Sequence, residues 1–371
     1  RAGPRVDVTG LRYRPDFDAV RDRLSHWWGG GELGRPALQL TAPRDVPAED
    51  ILSVPEPDGW VTDYSTRDFD YRLHLALGSC VGRHYLAEAV PCVAPDLGPN
   101  CLALYLGCRG EEMPGTVWFH PCIAAPETAH FELAPGNFYW DFTLRLARAQ
   151  RDHGGGRFLT SFPDLIEGLD TLAAMRGTEA LLVDLIRRPD WVQQSLATIT
   201  ERYFECYDQL YDLLRDDRGG SHFWAWAPGR MAKLQCDFSA MISPQMFRQF
   251  MVPVLEQMTT RLDYCMYHWD GPGAVEHLDA LLSVDGIDMI QWTPGAGTEP
   301  VANRRWWPLY HRIVDAGKRV ILLGVGSGDD GVEAVRRLKG EFGPRLQRFM
   351  LSLHCDSVVQ AEQVMRVAQV A

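Results

Sequence analysis

The chain has 371 residues, 46% of them hydrophobic and 23% charged, with a formal net charge of −12. That size suits one large α/β domain with insertions, and the ordinary composition, without repeats or like-charge runs, excludes a disordered or fibrous chain. The acidic balance argues against general nucleic-acid binding, and no apolar run is long enough to span a bilayer as a helix.

Nine cysteines, an odd number, are scattered without the dense spacing of small secreted domains. With no basic-apolar leader at Arg1, a cytoplasmic protein is expected.

In chain order, residues 13–34 predict a helix carrying Trp27 and Trp28 near its end and closed by Gly29, Gly30 and Gly31. Arg35 and Pro36 lead into a short strand, 37–40, stopped by Pro43. The stretch 53–152 is rich in prolines and aromatics and holds five of the nine cysteines (Cys80, Cys92, Cys101, Cys108, Cys122). It reads as early elements plus an irregular insertion over a barrel mouth, with Leu102 to Leu106 as a strand.

From Arg157 short apolar runs alternate with amphipathic stretches, the pattern of parallel strands and crossover helices. Strands are expected at 158–160, 222–226, 263–268, 287–292, 319–323 and 349–353, with a further short apolar stretch before Gln235. Helices are expected at 165–175, 189–214, 244–261, 273–282, 306–316, 332–339 and 357–369. Pro189, Pro244 and Pro308 sit near helix starts, where a missing amide hydrogen costs nothing. The whole predicts an α/β fold, a (β/α)8 TIM-type barrel forming a single domain over 1–371 with an N-terminal extension. The first strand is not followed by a Gly-x-Gly-x-x-Gly turn, so a dinucleotide-binding fold loses its best signal.

In such a barrel the reactive groups follow the strands. Tyr264 to Tyr267 delivers His268 to a strand end, with Asp270 two residues on and therefore on the same side. Both are candidate metal ligands and catalytic groups; packing of His268 and helix capping by Asp270 are the bland alternatives. Phe349 to Leu353 ends in His354-Cys355-Asp356, where Cys355 is a candidate ligand or simply a buried thiol. Leu234-Gln235-Cys236-Asp237 offers Cys236 as a further ligand and Asp237 as a base or substrate anchor. Trp226, Trp292 and Arg230 are candidate substrate contacts. His120-Pro121-Cys122, with His130 and Asp141, shows no repeated ligand spacing and could line a lid.

The run Met266-Tyr267-His268-Trp269-Asp270-Gly271-Pro272-Gly273, then His277-Leu278-Asp279 and Gln291-Trp292, resembles the uroporphyrinogen-decarboxylase-like superfamily. Asp237-Phe238-Ser239-Ala240-Met241-Ile242-Ser243-Pro244, Phe162-Pro163-Asp164-Leu165, Gly168-Leu169-Asp170, Arg176-Gly177, Arg35-Pro36 and Asp96-Leu97-Gly98-Pro99 are similar to it too. The superfamily holds cofactor-free porphyrinogen decarboxylases and zinc-dependent methyltransferases that act on thiols with corrinoid proteins as partners. The resemblance implies a His-x-Cys motif and a later Cys as zinc ligands. Here His268 matches, Cys355 falls near the later Cys, and Asp270 stands where Cys is usual. Carboxylate is an acceptable zinc ligand, and oxygen donors broaden the choice of metal. The Arg-rich segment of the true decarboxylases has no counterpart, since Arg35 and Arg44 are the only basic residues near the first strand.

The expectation is thus a metal-dependent methyltransferase, with zinc held by His268, Cys355 and Asp270 or Cys236, a small-molecule thiol acceptor, and a corrinoid or other methyl donor. The alternatives are a metal-free decarboxylase or lyase using Asp237, Asp270 and His268, and a non-enzymatic corrinoid- or tetrapyrrole-binding protein.

Overall fold

A computed structural model describes residues 10–370. The fold is mixed α/β, built on a seven-stranded, mostly parallel sheet with helices packed around it. Its strands in chain order are β1 (Ala37–Pro43), β2 (Arg83–Ala87), β3 (Met231–Gln235), β4 (Tyr264–Asp270), β5 (Met289–Thr293), β6 (Arg319–Leu322) and β7 (Phe349–His354). They lie in the order β2-β1-β7-β6-β5-β4-β3. Every neighbouring pair is parallel except β1 and β2.

The strands β3 to β7 are near-continuous apolar runs because a parallel sheet is covered on both faces. Helices after them alternate with the strands, as the sequence pattern requires. Helix Pro189–Leu214 begins on its proline, as expected, and buries Val192, Leu196, Ile199 and Phe204 along one stripe. The main core of buried residues runs from Leu11 to Ala368, with a smaller cluster of Tyr13, Cys80, Val81, Val93 and Phe158 beside it.

The expected closed eight-stranded barrel is not what the ladder shows: the sheet is open, with β2 and β3 at its edges. The segments between those edges are too short to extend it. Cys92–Val93 pairs only with Leu159–Thr160, and Ser221–Phe223 folds back on Ala225–Ala227. Pro91, Pro95 and Pro163 flank these pieces and cannot donate to a ladder. Single hydrogen bonds bridge them instead, Leu159 N to Pro91 O (2.9 Å), Ser161 N to Val93 O (2.6 Å) and Phe162 N to His222 O (3.2 Å).

Within 53–152 the expected strand at Leu102 to Leu106 is helix Cys101–Tyr105, with every residue buried. A five-residue apolar run has no periodicity that separates a buried strand from a buried turn of helix. The same stretch supplies β2, helices Phe69–Val81 and Phe138–Gly154, and a hairpin, Arg109–Met113 with Thr116–His120. Among the described residues no helix is long and apolar enough to cross a membrane.

Candidate functional site

The site is set by register. His268 on β4 lies opposite Gln235 on β3 and Gln291 on β5. Residues in register point to one face, and alternate residues along a strand share it. One face of three adjacent strands therefore carries Lys233, Gln235, His268, Asp270, Gln291 and Thr293, all toward the C-terminal strand ends.

Chain turns at those ends add the rest. Gly271, at φ 77°, lets the chain leave β4 directly after Asp270. After β3 the chain enters a short 3-10 turn, Asp237–Met241. Asp170, in the first turn of helix Gly168–Arg176, fixes that turn by accepting from Asp237 N (2.9 Å) and Phe238 N (2.8 Å). Asp237, His268 and Asp270 thereby converge, with one ligand atom from each all within 4.8 Å of one another.

The imidazole is oriented by its neighbour. Gln291 donates through Nε2 to Thr293 Oγ1 (2.9 Å) and Trp292 O (3.0 Å), so its Oε1 faces His268 and accepts from Nδ1–H. Nε2 is left with its lone pair for an acid, a proton or a metal. Burial, and then the nearby Lys233 ammonium, push the His268 pKa down, so the ring is neutral at neutral pH. Trp224 stands edge-on to it at 5.4 Å between ring centroids.

The carboxylates are crowded. Asp237 opens to solvent, but surrounding atoms partly desolvate it, and Asp170 and Asp270 repel its charge; its pKa is pushed up to about 7. Asp270 Oδ1 is buried and has no hydrogen-bond partner. Gln235 Nε2 donates to both Asp170 Oδ2 and Asp237 Oδ2, each at 3.1 Å.

Under this layer lies an ion pair whose cation is buried. Lys233, 3% exposed, has Nζ 2.6 Å from Asp164 Oδ1, also donates to Gln235 Oε1, and lies over the Phe223 and Trp224 rings. Glu167 is fully buried and accepts from Gln235 N (2.8 Å). Burial raises its pKa well above the carboxylate range, which keeps it protonated.

Three of the expected site residues, His268, Asp270 and Asp237, are brought together; the other five are not. Cys236 follows Gln235 and so falls on the opposite face, where it is buried with its thiol pKa raised well above the ordinary value by burial. Cys355 is likewise one residue off the site face: Gln291, Ile321, Met350 and Ser352 are linked by register, and His354 shares their side. Neither cysteine joins the three-residue group. Trp292 also points away from the site, buried between Trp269 and Trp306. Trp226 is a core residue whose Nε1 donates to Asp216 (2.9 Å). Arg230 precedes β3, at the far end of the strand from His268, where it pairs with Asp208 and donates to Arg261 O (3.0 Å). A substrate at the C-terminal ends would lie about five residues of strand away, roughly 16 Å at ~3.3 Å per residue.

Gln235, Gln291, Asp164 and Asp170 stand in the quoted motifs but had no role assigned from sequence, and Trp224 and Lys233 were not singled out at all. Trp224 fell in the middle of the expected strand 222–226, which is instead an antiparallel pair, Ser221–Phe223 with Ala225–Ala227, reversing at Trp224 with φ 55°. Lys233 carried a signal: a lysine inside an apolar parallel strand needs a buried partner.

A scan against protein-family models finds no match, and no curated protein matches. Among solved structures, a methyltransferase from Methanosarcina mazei is similar in fold, with a TM-score of 0.58 and 12% sequence identity, over 94% of this chain and 98% of that one.

Proposed function

We propose that this protein is a metal-dependent methyltransferase that moves a methyl group from a corrinoid, or another methyl donor, to a small-molecule thiol. The observation that carries the proposal is the convergence of Asp237, His268 and Asp270 at adjacent strand ends. The fold likeness to a methyltransferase supports it. The proposal takes the open sheet and the short segments 92–93, 159–160 and 221–227 together as a barrel-type ring with its working end at the strand C-termini. A cytoplasmic location and a corrinoid-carrying partner protein belong to the same reading.

The residues fit a divalent cation. An oriented neutral imidazole and two carboxylates form an acceptable donor set for zinc. A cation would also satisfy the orphaned Asp270 Oδ1 and relieve the repulsion that lifts Asp237. Bound zinc would supply a lowered thiol pKa, making a thiolate available at neutral pH. Gln291 holds the His268 ring, Gln235 and Asp170 hold Asp237, and Trp224 gives the opening an apolar wall. Transfer of a methyl group between two bound partners needs alignment more than proton movement, and fixed strand ends supply it.

A second reading, a metal-free decarboxylase or lyase, draws on Asp237. With a pKa near 7 it carries a proton part of the time at neutral pH, beside the His268 imidazole, as a general acid would. The displacement of Arg230 to the far strand end removes one anchor for substrate carboxylates.

The test supplies methylcobalamin and a panel of small thiols and follows thioether formation with and without chelator. The proposal expects methylation that chelation stops and added zinc restores, and that His268→Ala abolishes. Thiol methylation that survives chelation overturns the metal requirement; no transfer to any thiol overturns the methyltransferase.

A further inference from the structure

The hairpin Arg109–Met113 with Thr116–His120 packs Val117 inward and leaves Trp118 largely exposed. Two cysteines flank its foot. Cys108 immediately precedes the first strand, Cys122 follows the second by two residues, and their Sγ atoms are 3.7 Å apart. Cys108 is 2% exposed and its thiol also faces Ala174 O at 3.5 Å, whereas Cys122 is exposed. The foot is tied to helix Gly168–Arg176: Cys122 N and Ile123 N both donate to Met175 O (2.8 Å), and Arg176 Nη1 donates to Ala124 O (2.6 Å). That helix carries Asp170 at its other end.

We infer that Cys122 and Cys108 form a thiol–disulfide modification site, in which Cys122 attacks a low-molecular-weight disulfide and Cys108 resolves the resulting mixed disulfide into an internal bond across the foot of the hairpin. Cys122 as thiolate attacks one sulfur of the small disulfide. That sulfur–sulfur bond breaks and the first small thiol leaves. Cys108 then loses its proton to solvent and attacks Cys122 Sγ. The mixed disulfide breaks and the second small thiol leaves. Two protein thiols are oxidised, one small disulfide is reduced to two thiols, and the protein loses two hydrogens.

The order of attack follows from exposure, since only Cys122 meets solvent. Burial disfavours the Cys108 thiolate, in keeping with Cys122 reacting first. Bond formation needs the sulfurs to close from 3.7 Å to about 2.05 Å, within reach of side-chain rotation at an exposed residue. The other cysteines are buried, or half-buried in the case of Cys92, whose thiol pKa is raised by burial.

The experiment incubates the full chain with oxidised glutathione, quenches in acid, counts free thiols after unfolding, and maps peptides by mass. Wild type is expected to lose two of its nine thiols, retain no glutathione and yield a Cys108–Cys122 cross-linked peptide, all reversed by dithiothreitol. Cys108→Ser should hold one glutathione on Cys122. Cys122→Ser, at an exposed position, should keep all its remaining thiols, and this variant decides the matter if the buried substitution does not fold. Nine unmodified thiols in wild type, glutathione retained on Cys122 in wild type, or a cross-link between another pair would overturn the assignment.

Discussion

His268-Trp269-Asp270 and His354-Cys355-Asp356 have the same outer residues at the ends of two parallel strands of one sheet, yet they stand in unlike surroundings. At the first, the flanking strands bring Lys233, Gln235 and Gln291 to the histidine, and the turn after β3 adds Asp237. At the second, His354 is exposed, its Nδ1 meets Thr41 Oγ1 at 2.6 Å, and a glycine-rich turn at 324–328 lies alongside. The middle residue of each triplet faces away from the site and packs. The same pattern thus makes a cluster of converging ligand atoms at one strand end and an ordinary surface histidine at the other. What differs is not the motif but the polar residues that neighbouring strands carry in register with it.

The largest expected break in that contrast is Lys233→Met. It leaves Asp164 and Gln235 without their buried cation, and removing one partner of a buried pair costs about 3–5 kcal/mol. Urea unfolding reads this, with His354→Ala as the matched change expected to fall within ~0.5 kcal/mol of wild type. A loss below about 1 kcal/mol for Lys233→Met would mean that the polar layer under His268 does not hold the fold together.

Next in size is Gln291→Ala, which frees the His268 ring without touching a candidate ligand atom. Loss of such an orienting partner weakens metal binding about 10- to 100-fold. Thr41→Ala does the same to His354 and should leave metal affinity unchanged. Competition with a colorimetric chelator measures both, and equal affinities in the two variants would remove the distinction between the strand ends.

The smallest effect is in the pH dependence of stability. The folded pKa of Asp237, about 7, lies above its unfolded value near 4. The folded state therefore binds that proton more tightly. This contribution favours folding fully below pH 4, and it is lost as pH rises toward 7. Asp237→Asn in chelator-treated protein should match wild type at pH 4 and exceed it by about 1 kcal/mol at pH 8, a figure reduced for the solvent exposure of the side chain. A variant less stable than wild type at pH 8 would contradict the crowding of carboxylates at this strand end.

The sequence made the parallel strands β4 to β7 legible because each is an apolar run long enough to contrast with the amphipathic helix before or after it. It also put His268 and Asp270 on one side of a strand end, since two residues along an extended chain restore the same face. It chose Cys355 although His354 is the residue on the His268 side, because that choice requires the register of β7 against β6 and β5, which no local pattern encodes. Cys236 was lost to the same one-residue alternation. The early chain was hard to read for a different reason: helix Cys101–Tyr105 and the strand at 92–93 are too short to show a period, whereas the expected strand at 158–160 is present as the short strand Leu159–Thr160. The segments at 92–93, 159–160 and 221–227, on which ring closure depends, lie outside the seven-stranded ladder, which leaves the sheet itself open.

Metal content measured on protein purified without chelator or an affinity-tag metal, for wild type, His268→Ala, Asp270→Ala and Cys355→Ala, tests the central claim most directly. The account predicts near-stoichiometric metal in wild type and in Cys355→Ala, and its loss in His268→Ala and Asp270→Ala. Metal-free wild type, or metal lost from Cys355→Ala and kept in His268→Ala, would contradict it.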